Sequence, residues 1–439
     1  MNALWFETAL LPGGWARDVR LVQAGGAIAS IETGVAARPG DERGAIAVPG
    51  VGNLHSHAFQ RAMAGLAETR VGDDSFWGWR EVMYRFVEVL TPEDVKSIAT
   101  MAYAEMLECG FTRVGEFHYL HRPGDMAGAI AAAAEESGIG LTLLPVFYAH
   151  GGFGGADAGA SQARFVHSRD SYGDLVGRCR VLIGSLADGV LGIAPHSLRA
   201  VTPDELAAIL PLAGDGPIHI HVAEQVREVE ECLAWSGARP VAWLLDHAPV
   251  DQRWCLVHAT HMDAGETARL AASGAVAGLC PITEANLGDG LFPARAYRDA
   301  GGAFGVGSDS NVLIDLAEEL RLLEYGQRLS HRARAVLAGE GSTGAALFTA
   351  ALAGGALALG APAGLLAGAS LDIVSLDADH PALAGKSGDA ILDAWIFAAR
   401  GGAVKDVWRR GEKVVAGGRH VRREAIAADY RRVLARLPA

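Results

Sequence analysis

Residues 48–68 read VPGVGNLHSHAFQRAMAGLAE, and the interpretation of the whole chain starts from His55-Ser56-His57 within them. A Gly-broken apolar run leads into the two histidines, and a helix-like run follows. Side chains two apart on an extended strand share a face, so His55 and His57 can aim two imidazoles at one point. Imidazole suits zinc and the late first-row metals, and an H-x-H pair by itself does not choose among them. Two close histidines among 15 in the chain also arise by chance, so the weight falls on the other segments.

The chain has 439 residues, half of them apolar and a fifth charged, which suits a globular protein with a large core. A net charge of −13 argues against a phosphate-backbone partner, since nucleic-acid binding rests on a basic footprint. Lysine occurs only at Lys96, Lys386, Lys405 and Lys413, against 34 arginines. The five cysteines are odd in number, scattered and never in a C-x-x-C pair, which fits a reducing compartment and no thiolate zinc site. The opening MNALWFETALLPGGW lacks the basic n-region of a signal peptide. Residues 341–371 carry no charge and are long enough to span a bilayer. They are mostly Ala and Gly and are interrupted by Pro362, so a buried helix plus a turn is expected.

The first 48 residues show short strand patterns with Gly-rich turns. From Val48 onward, short apolar runs alternate with amphipathic stretches: GVGNLHSH, FTRVGEF, IGLTLLPVFY, GVLGIAPHS, PIHIHVAE, RWCLVHATH, AVAGLCPIT and AFGVGSDS. Strands of a parallel sheet are buried on both faces and lack clean alternation, and eight of them suit a (β/α)8 barrel. The last segment returns to strand and turn character in ASLDIVSLD, DAWIFAAR and VKDVWRRGEKVVAGGRHV, then closes with a helix, REAIAADYRRVLARL. The expected fold is therefore α/β. A (β/α)8 TIM barrel over 49–365 carries a small β-sandwich domain made of 1–48 together with 366–439.

In such a barrel the functional side chains collect at the C-terminal ends of the strands. Strand one supplies His55 and His57, strand five His219, His221 and Glu224, strand six His258 and His261, and strand eight Asp309. This combination resembles the amidohydrolase superfamily, and HVAE on strand five resembles its deaminase branch. The segments NLHSHAFQRAMAGLAE, FWGWREVMYRF, GEFHYLH, APHSLRAV, WCLVHATHM, CPITEANLGDG and AEELRLLEYGQRL together resemble the family of formimidoylglutamate deiminases.

The resemblance implies that His55, His57, His221 and Asp309 bind one divalent metal, zinc first, and that Glu224 moves protons. It implies that His258 polarises the group under attack and that Asp309 also accepts the proton of the attacking water. Two-metal members of the superfamily bridge their ions with a carboxylated lysine from a middle strand, and no lysine lies between Lys96 and Lys386. Gln60, Arg80, Tyr119, His196 and Arg199 are the expected substrate contacts, the arginines as bidentate partners of two carboxylates. His219 is expected inside the barrel, His261 in the loop after strand six, and His118 and His150 have no assigned role. Asn311 stands where the family leads one to expect His, which touches a neighbour of the site and leaves the ligands intact.

The implied reaction is hydrolytic deimination of N-formimino-L-glutamate to N-formyl-L-glutamate and ammonia. Another aminohydrolase acting on a purine, pyrimidine or triazine is the alternative, and there aromatic and amide contacts would replace Arg80 and Arg199. A non-catalytic barrel is a third reading, although such proteins lose ligands or the proton-carrying carboxylate. The expected setting is cytoplasmic, with a small-molecule substrate, a homodimer, and neither nucleic acid nor membrane as partner.

Overall fold

A computed structural model describes residues 3–66, 68, 76–122 and 124–437, with the side chains of 76–81 left out. The chain opens with β1 (Ala3–Leu11), β2 (Gly14–Ala24), β3 (Ala27–Glu32) and β4 (Glu42–Pro49). Next come β5 (Val51–Ser56), β6 (Phe111–His118), β7 (Gly140–Phe147), β8 (Val190–Leu191) and β9 (Ala194–Pro195). They are followed by β10 (Ile218–Val222), β11 (Trp254–His258), β12 (Val276–Leu279) and β13 (Ala303–Val306). The chain ends through β14 (Ile373–Leu376), β15 (Val404–Arg409), β16 (Glu412–Ala416) and β17 (Arg419–His420).

Strands β5 to β13 pair in parallel, β5-β6-β7-β8 in one run and β10-β11-β12-β13 in another, with β9 also on β7. Two bridges, Ile193 to Ile218 and Ser197 to His221, join the fourth strand to the fifth, and Ser56 to Asp309 joins the last strand back to the first. The circle is thus closed, with the fourth strand in two short pieces. All eight expected barrel strands form at their expected places. Fully buried Leu54, Cys255, Val257 and Val276 pack the barrel interior together with Ala358 and Leu359.

The uncharged segment becomes the helix Thr343–Ala358, which packs on β5 and β13. Gly354 makes this approach possible, since a Cβ there would lie 2.0 Å from the Phe304 carbonyl oxygen. The end of this helix plugs the barrel floor: His219 Nε2 donates to the Ala358 carbonyl at 2.7 Å and Thr142 Oγ1 to that of Leu359 at 2.9 Å. Those carbonyls would otherwise be the unsatisfied acceptors of a helix end. No helix among the described residues is long and apolar enough to cross a membrane.

The two chain ends form one eight-stranded sheet in the order β17-β16-β15-β14-β4-β1-β2-β3. Phe6 on β1 and Trp408 on β15 are three strands apart, about 14 Å in a flat sheet. Their rings meet edge to face with centroids 5.8 Å apart, so the sheet curls over its own core of Leu4, Phe6, Val19, Leu21, Ile373 and Trp408. One expected strand is wrong: DAWIFAAR lies mostly in the helix Ala390–Phe397. Short apolar runs do not distinguish strand from buried helix by periodicity. Tertiary contacts decide, because Asp393 accepts the Gly344 N–H at 2.7 Å and Trp395 packs on Phe348.

Arg409, nearly fully buried, ties this sheet to the barrel. It donates to Asp188 at 2.6 Å, to Asp372 and to the Gly138 carbonyl, while Arg113 holds the same Asp188 at 2.7 Å. Removing one partner of a buried ion pair leaves the others unpaired, at about 3–5 kcal/mol. Arg409→Met is therefore expected to lower unfolding free energy by roughly that amount in urea titrations. A loss below about 1 kcal/mol, the value of an exposed pair, would show that the network contributes little.

Candidate active site

The strand ends on one side of the barrel open into a cleft. It is lined by His57, Gln60, Tyr119, His196, Arg199, His221, Glu224, His258 and Asp309, with Met83, Tyr148 and Phe165 on its apolar wall. The backbone turns left-handed where several of these side chains enter: φ is +51° at Ala223, +67° at His258 and +45° at Asp309. Non-glycine residues hold such angles at a cost of about 1–3 kcal/mol each, so the surroundings must fix them. At Asp309 they do, because its N–H donates to the His55 carbonyl at 3.0 Å and its carbonyl accepts from the His57 N–H at 2.9 Å.

Four ligand atoms converge here. His55 Nε2 lies 3.2 Å from His57 Nε2 and 3.1 Å from His221 Nε2. Asp309 Oδ1 lies 3.4 Å and 3.3 Å from the His55 and His57 nitrogens. A tetrahedron with zinc-like bonds of about 2.0–2.1 Å has edges of about 3.3 Å, so the spacing fits a cation of that size. His57 Nδ1–H donates to the Phe117 carbonyl at 2.9 Å and His221 Nδ1–H to that of His196 at 3.1 Å. These outer bonds leave both Nε2 lone pairs facing the centre, as metal-ligating histidines require. Burial pushes the His55 pKa down to about 3, and those of His57 and His221 also fall, so the imidazoles are neutral and able to ligate at neutral pH. Burial alone would raise the Asp309 pKa; hydrogen bonding to His55 and the adjacent imidazoles hold it well below the usual carboxylate range.

His258 faces this cluster from β11. Its Nε2 is 3.8 Å from Glu224 Oε1 and 3.9 Å from Asp309 Oδ2, and its Nδ1 is 3.3 Å from Glu284 Oε1. Burial would lower its pKa, but Glu224, Glu284 and Asp309 more than offset that and push it up to about 10. Burial raises the pKa of Glu224, opposed by His258 and Arg199. Arg199 is lowered by burial and raised more by Glu228 and Glu224, and its Nε has no hydrogen-bond partner among the described residues. Gln60 donates from Nε2 to Tyr119 Oη at 2.7 Å, which leaves its buried Oε1 without a partner among the described residues. His196 bonds Ser197 Oγ at 3.2 Å, with its ring 5.0 Å from that of His221.

The structure thus brings together every expected site residue except Arg80, whose side chain lies outside the described residues. His118, His150, His219 and His261 do not join the ligand cluster. His219 is at the barrel floor, and His150 pairs with Glu205 at 2.9 Å. Asn311 is buried in the seam between the first and last strands, donating to Ser56 Oγ at 3.1 Å and accepting from Ser308 Oγ at 2.6 Å. Two acidic residues were missed. Glu284 holds His258, and Glu228 accepts the N–H groups of Ala223 and Glu224, both at 3.2 Å. Glu284 was visible as a carboxylate just past strand seven in CPITEANLGDG; Glu228 sits inside an ordinary helical pattern with no distinguishing signal.

Residues 46–414 match the model of the amidohydrolase family, and residues 1–45 match that of the formimidoylglutamate deiminase HutF N-terminal domain. The chain is 50% identical to the formimidoylglutamate deiminase of Pseudomonas aeruginosa over 100% of both chains. It is 31% identical to a 5-methylthioadenosine/S-adenosylhomocysteine deaminase of Natronomonas pharaonis, over 90% of this chain and 86% of that one. Among solved structures, an amidohydrolase from Brucella melitensis superposes with a TM-score of 0.97 at 56% identity, covering 100% of both chains. A zinc-bound adenosine deaminase from Xanthomonas campestris shares the fold, with a TM-score of 0.83 at 23% identity over 99% and 98% of the two chains. The chain belongs to the metal-dependent amidohydrolase family, and within it to the formimidoylglutamate deiminases.

Proposed function

We propose that this chain hydrolyses N-formimino-L-glutamate to N-formyl-L-glutamate and ammonia with one zinc ion per chain. The observation that carries the reading is the 50% identity to the Pseudomonas aeruginosa formimidoylglutamate deiminase across the full length of both chains. The cleft supports it further, because the half-buried Arg199 in its lining suits a carboxylate substrate better than a neutral ring.

His55, His57 and His221, through Nε2, and Asp309, through Oδ1, would hold the ion. A bound zinc ion supplies Lewis acidity that brings the pKa of water near neutral. Asp309 Oδ2 and Glu224 are the acceptors for the proton lost by the attacking water. Glu224 then delivers a proton to the departing nitrogen, so that ammonia leaves rather than an amide anion. His258, held as a cation by Glu284 and Glu224, donates from Nε2 toward the oxygen that the substrate carbon gains as it becomes tetrahedral. Gln60 Oε1 accepts an N–H of the formimino group, with Tyr119 fixing its orientation. Arg199 takes one carboxylate, Arg80 is assigned the other, and His196 borders the same pocket.

Three outcomes follow. Purified protein should hold about one zinc per chain by elemental analysis, and His57→Ala or Asp309→Ala should lose it while staying folded by circular dichroism. Unfolding of both variants would instead make the cluster structural. Glu224→Gln should keep the metal and lose on the order of 10²–10⁴-fold in kcat. Near-normal turnover would remove Glu224 from the proton path.

Ammonia release should be fast with N-formimino-L-glutamate and negligible with guanine, cytosine or adenine derivatives; the reverse order would overturn the substrate reading. Arg199→Met should cost about 2–5 kcal/mol, roughly 30- to several-thousand-fold in kcat/KM, as for an unpaired buried charge. An analogue lacking the paired carboxylate should lose little more in the variant. Equal slowing of both substrates would mean that Arg199 supports the cleft without touching the carboxylate.

A further inference from the structure

Cys280 has no part in the reaction above, yet its thiol is fully buried just past the end of β12 beside two residues that do. One ligand atom each from His258, Cys280 and Asp309 lies within 4.8 Å of the other two. Asp309 serves two donor sets at once. Its Oδ1 faces His55 and His57 at 3.4 Å and 3.3 Å, and its Oδ2 faces His258 Nε2 at 3.9 Å. A carboxylate with its two oxygens directed at separate clusters has the geometry of a bridging ligand, and ions paired in this way sit about 3.5–4 Å apart. The two sets differ in softness. The first offers three imidazoles and an oxygen, whereas the second includes sulfur, which selects thiophilic ions. The 3.9 Å from His258 to Asp309 exceeds a tetrahedral edge of about 3.3 Å by an amount that small side-chain movements close.

We propose that His258, Cys280 and Asp309 form a second cation site, for a thiophilic divalent ion such as cadmium or zinc in excess, and that filling it arrests turnover. Binding forms one bond each to sulfur, nitrogen and oxygen and releases the thiol proton and the His258 Nε2 proton to solvent. The inhibitory consequence rests on the roles assigned to His258 and Asp309 under the proposed function; the binding itself rests on geometry alone. No lysine bridge takes part, so this site is independent of the one that the lysine distribution excludes.

The test titrates zinc-loaded protein with cadmium while metal content, near-ultraviolet absorbance and turnover are followed together. The expected result is a second metal per chain, a thiolate-to-cadmium charge-transfer band, and turnover falling in step with that band. Cys280→Ser should keep zinc-only turnover, lose the band, and raise the half-inhibiting cadmium concentration on the order of tenfold or more. Cys280→Ala provides the same comparison should the serine variant not fold, and the wild-type band and metal count stand without either. Cadmium replacing zinc at one metal per chain would overturn the proposal. So would a second equivalent with no band, or unchanged inhibition in the cysteine variants. Absence of formimino-glutamate turnover at the outset would instead reject the proposed function, while the metal count and band still judge the site.

Discussion

Three imidazole nitrogens and a carboxylate oxygen, with His55 Nε2 lying 3.1–3.4 Å from each of the other three, form the constraint on which this structure turns. The nitrogens are buried where protonation is disfavoured, so the mutual repulsion is relieved by a cation rather than by protons. Such an arrangement requires a scaffold stiff enough to keep like groups together. Parallel strands on a closed barrel supply that stiffness, and the loops beyond their ends supply the variable chemistry.

The weak point of a closed barrel is the junction of its first and last strands, and both His55 and Asp309 sit on it. A buried polar chain holds that junction. Ser308 N–H donates to Asn53 Oδ1 at 3.0 Å, Asn53 Nδ2 to Ser308 Oγ at 2.7 Å, Ser308 Oγ to Asn311 Oδ1 at 2.6 Å, and Asn311 Nδ2 to Ser56 Oγ at 3.1 Å. Fully satisfied buried networks of this kind rigidify what they join. The glycine-rich helix Thr343–Ala358 backs the same junction from outside, so the least polar segment of the chain supports its most polar site.

Much of this was legible in the residues. The selection of His55, His57, His221 and Asp309 as the ligand set follows from the family resemblance, while they could be placed at strand ends because the strands are short, Gly- or Pro-bounded and countable. The buried runs of β5 to β13 read as strands for the same reason. DAWIFAAR was misread because six apolar residues between Asp393 and Arg400 fit either structure, and only the contacts of Asp393 and Trp395 decide. Glu284 shows in the sequence only as a carboxylate near a strand end, and Glu228 not at all, because their roles depend on atoms brought close by the fold: one reaches back to His258 across 26 residues, the other caps a turn that its own helix follows. The two-sided position of Asp309 was equally hidden, since sequence order says nothing of which carboxylate oxygen faces which neighbour.

Zinc-edge X-ray absorption on protein loaded with one zinc per chain tests the central claim most directly, because it reads the donor atoms themselves. The account predicts a shell of nitrogen and oxygen donors at about 2.0–2.1 Å, with the outer scattering of about three imidazoles and no sulfur. A sulfur shell near 2.3 Å, or scattering from a second zinc, would contradict it.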